Sequence, residues 1–435
     1  MTNDSPGVKV DEKLLGQQLF DCVADLYPIC RSITGDGVRE TLSRLSHIVP
    51  LTIHEVPSGT AVFDWVVPKE WNIHDAYVKD ARGERVIDFR HSNLHVLNYS
   101  KPIREVMSLT ELRPHLFTLP DKPEWIPYRT SYYEENWGFC LSQNQLDTLD
   151  EGEYEVSIDS SLEPGVLTYG ELLIPGESVE EVLVSCHICH PSLANDNLSG
   201  IAVAAYAARY LQSRSLRYSY RFLFIPATIG SLAWLSQNEP TVSKIQHGLV
   251  LACLGDSGSL TYKRSRRGDA TIDRAATHIL KQQVESEIFD FSPYGYDERQ
   301  YCSPSFNLPV GRLSRTPHGR FPEYHTSADN LEFVQPNKLA GSLLACLDIF
   351  EVLEHDRVYL NQKPKGEPYL SKYGLYGPIG GSADSSACQL ALLWVLNLSD
   401  GQHSLLDIAD RAGLRFQDVV VAADALREKG LLKEV

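Results

Sequence analysis

The stretch SCHICHPSLANDNLSG, residues 185–200, sets His187, His190, Asp196 and the thiols of Cys186 and Cys189 between two apolar runs, EVLV and IAVAAYAARYL. Imidazole nitrogen and carboxylate oxygen are the donors that suit zinc and other borderline divalent ions. Three more residues follow apolar runs of their own: Thr228 after RFLFIPA, Asp256 after LVLACLG and His325 after NLPVGRLSR. Asp329, just beyond His325, is placed to orient that imidazole as an outer carboxylate. Plainer readings compete. A histidine after a strand is often an ordinary polar group. His187 with His190 could mark a helix entry, and Asn195 or Asp196 could cap the helix near Ser199. Cys186 and Cys189 form a CxxC, a redox or half-ribbon spacing, yet no second pair follows at ribbon distance. Cys186 also falls on the inward alternation of its strand. The metal reading gains weight from placement, since each candidate follows the carboxyl end of a predicted strand.

Positioning those ends requires a sheet. From about Gly165 the chain alternates strand and helix: EEVLVSC, then SGIAVAAYAARYLQS, YRFLFIPA, SLAWLSQ, HGLVLACLG, DRAATHILKQQVE, NLPVGRL and the long helix NKLAGSLLACLDIFEVLEH. Continuous apolar strands between amphipathic helices predict an α/β fold, a mixed and mostly parallel sheet sandwiched by helices. Residues 1–50 read as helix, broken at PICRSITGDG, and join residues 161–365 in this larger domain. Residues 51–160 alternate apolar and polar positions with Gly and Pro between them, the pattern of a small β-rich insertion. Residues 366–435 read helix, turn, SLLDIADRAG and RFQDVVVAADALREKGLL, the grammar of a winged helix.

Composition narrows the classes. The net charge of −17 argues against a nucleic-acid footprint. From Gly366 onward six Lys/Arg face nine Asp/Glu, so the winged helix is expected to be a packing or protein-contact module rather than a DNA reader. No apolar stretch is long enough to span a bilayer. The polar start, MTNDSPGVKVDEKLLGQQLF, lacks a signal-peptide core. Nine cysteines without framework spacing suggest reduced thiols in a cytoplasm.

With these residues in view, VLVSCHICHPSLANDNLSGIAVAAYAARYL resembles the H-x-D … D-N-x-S-G segment of zinc aminopeptidases, which share a fold with glutaminyl cyclases and carboxypeptidases. RFLFIPATIGSLAWL falls where those enzymes carry a Glu-Glu pair. CLGDSG resembles their third acidic ligand, and YHTSADN their final histidine with its partner. More closely, YPICRSITGDGVRETL, FDWVVPKEW, NLHVLNYS and GFCLS are similar to a bacterial group of aminopeptidase-like proteins with an inserted β domain and a C-terminal winged helix. The resemblance extends over essentially the whole chain. It implies that His187, Asp196 and Asp256 hold one zinc ion and that Asp196 bridges to a second held by His325. Thr228, a poor zinc ligand, stands where the second glutamate completes that second site, so one ion or two are open. Cys189 replaces the aspartate two after the first histidine, and either His187 or His190 is the ligand.

The first glutamate of the pair is the general base. The closer relatives read P-E-T-I-G, whereas this chain reads PATIG, with Ala227 at that position. Alanine cannot transfer a proton, and losing such a base costs roughly 10²- to 10⁴-fold. Three explanations stand: a substitution that traps a substrate complex, a natural pseudoenzyme, or another acid such as Glu323, Asp297 or Glu298. The resemblance implies a metal-dependent hydrolase cutting a peptide or amide bond in a small substrate. Tyr324, Asp297, Arg320 and the basic run YKRSRRG (Lys263, Arg264, Arg266, Arg267) are candidates for substrate contact. A solvated loop is the other reading of that run. The β insertion is expected to cover the crevice. Two alternatives are a silent metal-binding scaffold acting through its winged helix, and an acyl transferase or cyclase on the same site. Oligomeric state is open, a homo-oligomer included.

Overall fold

In a computed structural model of the chain, residues 11–375 and 383–435 are described. The opening decapeptide, part of the stretch read above for lack of an export signal, lies outside them. No helix among the described residues is long and apolar enough to cross a membrane. The apolar runs form one eight-stranded sheet, labelled here β1 (Thr52–Pro57), β2 (Val166–Ile174), β3 (Glu181–His187), β4 (Ser219–Ile225), β5 (Ile245–Leu251), β6 (Leu260–Lys263), β7 (Ser286–Phe289) and β8 (Val310–Ser314). Their order is β1-β2-β4-β3-β5-β8-β6-β7. The central run β4-β3-β5-β8 is parallel, while β1, β2 and β6 add antiparallel pairings. β3 and β4 are buried at every position, which is why apolar residues fall on both of their faces without alternation, and the charges they do carry, Glu181 and Arg221, pair with each other at 2.6 Å.

The chain leaves β3 to build β4 on one side and then crosses to build β5 on the other. That reversal opens a crevice beyond the carboxyl end of β3, where His187 is the last strand residue. The helix after it, Gly200–Leu211, is rich in alanine and buried along most of its length. Gly200 is required there by proximity. A Cβ at this position would lie 2.3 Å from Asn197 Oδ1 and 2.6 Å from the Leu251 carbonyl oxygen.

β1 belongs to the large sheet, although the alternating sequence texture begins with it. Four further inserted strands form an antiparallel sheet in the order Arg85–Asp88, Glu70–Lys79, Glu153–Glu163, Ile103–Ser108, and the short strands Ala61–Val62 with Trp65–Val66 and Leu116–Phe117 with Phe139–Cys140 pair separately. The apolar face of the four-stranded sheet supplies Ala76, Val78, Val156 and Ile158 to the buried core. A second compact unit comprises Thr271–Val284 and Leu347–Val435. In it, a three-stranded sheet (Val358–Asn361, Asp400–Ser404, Leu432–Glu434) accompanies the helices Ala383–Leu398, Leu405–Ala412 and Phe416–Glu428. Ser404 and Asp407 form a capping box at the start of one helix, and Gly413, at φ 65°, ends it.

One core group links this fold to pH. His247 on β5 is 7% exposed, with the Tyr218 ring edge-on at 5.1 Å. Burial, reinforced by Arg217 and Arg267, pushes its pKa from 6.5 down to about 4. The unfolded chain therefore takes up a proton below pH 6.5 that the folded chain refuses. Stability present above 6.5 is lost as pH falls toward 4, by up to about 3 kcal/mol. His247→Gln should flatten the stability–pH curve in that window. Urea unfolding of parent and variant at pH 7 and pH 4.5 checks it, and equal losses in the two proteins would rule the assignment out.

Candidate metal centre

The loop after β3 is locked by buried side chains. Asn197 Nδ2 donates to the carbonyls of His187 (3.3 Å) and Leu251 (3.1 Å), and its Oδ1 accepts from the Cys253 N–H (3.1 Å). Asn195 Oδ1 accepts from the Gly255 N–H at 2.8 Å, and Ser199 Oγ accepts from the Leu254 N–H at 2.8 Å. Asp329 completes the lock. Its two carboxylate oxygens accept from the N–H groups of Asn195 (2.6 Å) and Asp196 (2.9 Å). The expectation that Asp329 orients the His325 ring is thus corrected: it holds the backbone that carries Asp196. Three residues on from Asn195–Asn197, the chain resumes as helix at Gly200.

Held this way, the Asp196 carboxylate is fully buried and faces three imidazoles. His187 Nε2 lies 2.9 Å from its Oδ1; His325 Nε2 lies 3.1 Å and His190 Nε2 3.8 Å from its Oδ2. Ligand atoms of His187, His190 and Asp196 all fall within 4.8 Å of one another, the one such group among the described residues. Burial alone would push the Asp196 carboxyl up, but the neighbouring imidazoles overcome it and hold it well below the usual carboxylate range. Burial keeps His190 far below the usual imidazole value, so its nitrogen lone pair is available. A carboxylate open on both oxygens to neutral-capable imidazoles is a donor set that fits a divalent ion.

His325 reaches the cluster from a left-handed backbone at φ 56°, a conformation that costs a non-glycine residue energy. Its ring stacks on Tyr324 at 3.9 Å and meets Tyr128 edge-on at 5.0 Å. Tyr128 comes from the inserted region, whose backbone bonds the His325 loop: Tyr128 N–H to His325 O at 2.8 Å and Ser327 N–H to Ile126 O at 2.8 Å. His190 is anchored from another direction. The fully buried Arg31, in PICRSITGDG, donates Nε to the His190 carbonyl at 2.7 Å. Burial brings the Arg31 pKa down to about 10.

The remaining predicted residues divide. Ala227 lies two positions past the end of β4, half-buried, beside Cys189, whose Sγ is 3.8 Å from the Ala227 carbonyl. Thr228 precedes the helix Ile229–Gln237 and accepts Ser231 Oγ on its carbonyl at 2.8 Å. Asp256 is turned away from the imidazoles and is corrected as a ligand. Its oxygens accept from Thr316 Oγ1 (2.6 Å), the Gly258 N–H (2.8 Å) and Asn195 Nδ2 (3.0 Å), a structural set of bonds. Asp297 is fully buried, accepts from Ser231 Oγ at 3.0 Å and leaves Oδ2 without a partner. Burial, partly offset by His187, raises it to about 6. Glu298 is taken up by Lys263 at 2.9 Å, and Glu323 is half-buried with its carbonyl bonded to Thr326. Within the basic run Arg266 bonds Asn307 Oδ1 at 2.9 Å and Arg267 the Asn307 carbonyl at 2.8 Å, so both are occupied locally; Arg320, outside the run, pairs with Glu287 at 2.8 Å.

Sequence reading passed over four neighbours of the cluster: Cys253, Tyr296, Tyr128 and Arg31. Tyr296 stacks on His187 with ring centroids 5.0 Å apart. Cys253 carried a usable signal, because it is the second residue past β5, at a strand end of the same crevice.

Comparison with known proteins agrees with this architecture. Residues 357–434 match a winged helix-turn-helix family. A Clostridium acetobutylicum protein, provisionally named a polysaccharide biosynthesis protein with aminopeptidase-like domain, is 52% identical over 421 residues, covering 97% of each chain. A crystal structure of a provisionally described peptidase from Clostridium acetobutylicum superposes with a TM-score of 0.93 at 50% identity, over 98% of this chain and 97% of that one. The zinc aminopeptidase BSAP of Bacillus subtilis shares the fold, at TM-score 0.56 and 11% identity, over 78% of this chain and 94% of its own. Residues 20–356 match the family described as Domain of unknown function (DUF4910), and the chain belongs to that family, an aminopeptidase-like domain followed by a winged helix.

Proposed function

We propose that this chain is a metal-dependent hydrolase of a peptide or amide bond in a small substrate, with zinc held by Asp196, His187, His325 and His190. The observation that carries the proposal is the buried Asp196 carboxylate, engaged on both oxygens by imidazoles from separate segments. A divalent ion bound there supplies Lewis-acid polarisation of a carbonyl and an acidified water at neutral pH. The chain's own residues do the rest. Asp329 and Asn197 keep the loop fixed before any ligand arrives, Tyr324 and Tyr128 wall the His325 side, Asp196 and His187 are buried, and the partly exposed His325 marks the open side of the cluster. Ala227 offers no proton acceptor. Asp297 is the acid best suited to stand in, because it is buried, has an oxygen without a hydrogen-bond partner and is raised by burial to about 6.

The Clostridium relative's name places that protein in polysaccharide biosynthesis, so an amide on an amino sugar belongs in the substrate screen beside aminoacyl amides. A cytoplasmic location suits the site, whose thiols at Cys189 and Cys253 are free. Metal analysis of protein loaded with zinc, cobalt or manganese tests the reading. No uptake of any of the three would end it.

The alternative of a silent scaffold is favoured by one observation, Ala227 itself. In either case the winged helix is proposed to contact protein. On the helix Phe416–Glu428, Arg427 pairs with Asp424 at 3.0 Å, and the preceding Arg415 pairs with Asp418 at 2.8 Å. Those two pairs add to an acidic balance of six Lys/Arg against nine Asp/Glu from Gly366 onward, which disfavours phosphate contact. Fluorescence anisotropy with a labelled duplex should show no salt-sensitive binding at physiological ionic strength; micromolar binding that weakens with salt would reverse this.

A further inference from the structure

Asp196 Oδ1, the oxygen that meets His187 Nε2 at 2.9 Å, also lies 3.8 Å from the Cys253 thiol. Cys253 is fully buried and follows β5 in a left-handed conformation, φ 54°. Its backbone is pinned on both sides: its N–H donates to Asn197 Oδ1 at 3.1 Å and its carbonyl accepts from the Arg315 N–H at 2.7 Å. The other neighbour of its sulfur is the Tyr296 hydroxyl at 3.1 Å, on the ring that stacks against His187. Thiol and imidazole thus converge on one carboxylate oxygen, while Asp256, further along the same loop, spends its oxygens on Thr316, Gly258 and Asn195.

We infer that Cys253 is a ligand of the centre on the His187 side of Asp196, making it a mixed imidazole–carboxylate–thiolate site. The inference rests on the metal reading proposed above. Binding exchanges the sulfur-bound proton for the cation, so metal uptake releases one proton from Cys253 to solvent. A thiolate donor favours zinc or cobalt over the harder manganese or magnesium. Cys189 is the rival thiol. Its Sγ lies 3.5 Å from His190 Nδ1 and is directed to the Ala227 carbonyl rather than to Asp196.

Cobalt titration of the full chain separates these possibilities. The parent and Cys189→Ser should develop a sulfur-to-cobalt charge-transfer band in the near ultraviolet together with visible ligand-field bands. Cys253→Ser should still take up cobalt but lose the near-ultraviolet band and release one proton fewer. A band that survives in Cys253→Ser, or cobalt uptake by the parent with ligand-field bands alone, overturns the assignment while leaving the metal centre standing. No cobalt uptake by the parent overturns the centre and this ligand together. Should Cys253→Ser not fold, X-ray absorption of the zinc-loaded parent decides: a sulfur neighbour at about 2.3 Å supports the assignment, and a shell of nitrogen and oxygen alone refutes it.

Discussion

Asp196→Asn should lower zinc affinity by more than about 100-fold while leaving the chain folded. Even outer partners of metal ligands cost 10- to 100-fold when removed, and Asp196 is the one group that His187, His190 and His325 all face. An amide is a weak zinc donor and brings no negative charge into a buried site where charge interactions are strong. The backbone N–H at position 196 keeps its bond to Asp329, so the loop has reason to stay in place. Zinc titration against a chromophoric chelator, with thermal melting of the metal-free proteins as control, measures the effect. Asp256→Asn supplies the contrast. It should weaken bonds to Thr316 and Gly258, cost about 1–3 kcal/mol of stability, and leave zinc affinity within a few-fold of the parent. An Asp196→Asn protein that binds zinc as the parent does would remove Asp196 from the centre.

Ala227→Glu should raise amide hydrolysis by roughly 10²- to 10⁴-fold, the contribution of a positioned general base. Residue 227 is only partly buried and lies just past the end of β4, whose Ile225 pairs in register with His187 on β3. A longer side chain there starts from a partly exposed position just past the strand end that borders the crevice. The gain should fall on kcat rather than KM, because proton acceptance is realised in the transition state. An acidic limb should also enter the pH–rate profile. Asp297→Asn in the parent completes the experiment. If the parent already has activity that this change abolishes, Asp297 serves as the base and the glutamate adds little. Metal-loaded Ala227→Glu without activity on aminoacyl amides or amido sugars would favour the scaffold instead.

The corrections around the centre show where sequence reading stops. Both acids that it misassigned lie on strand-end loops near the crevice. Asp256 was taken as a ligand because it is the carboxylate after an apolar run, and Asp329 was taken as a partner of His325 because it is near in sequence. The fold turns one toward Thr316 and the other toward the backbone of Asp196. Cys253, at the strand end itself, was passed over because only imidazoles and oxygen donors were sought after the later strands. Arg31 gave no sign beyond a charge in a short turn, PICRSITGDG, and its partner, the His190 carbonyl, is 159 positions away.

By itself the sequence determined the layers and the neighbourhood of the chemistry. Unbroken apolar runs make strands buried on both faces, small residues after Gly200 make a helix that packs close, and the strand ends therefore meet at one crevice. Those properties are local and repeat along the chain, so periodicity reports them. Which atoms face Asp196 was decided only in three dimensions. A side chain past a strand end has no period to fix its direction; backbone turns such as the left-handed Cys253 and His325 aim it, and they are held by partners far away in the chain.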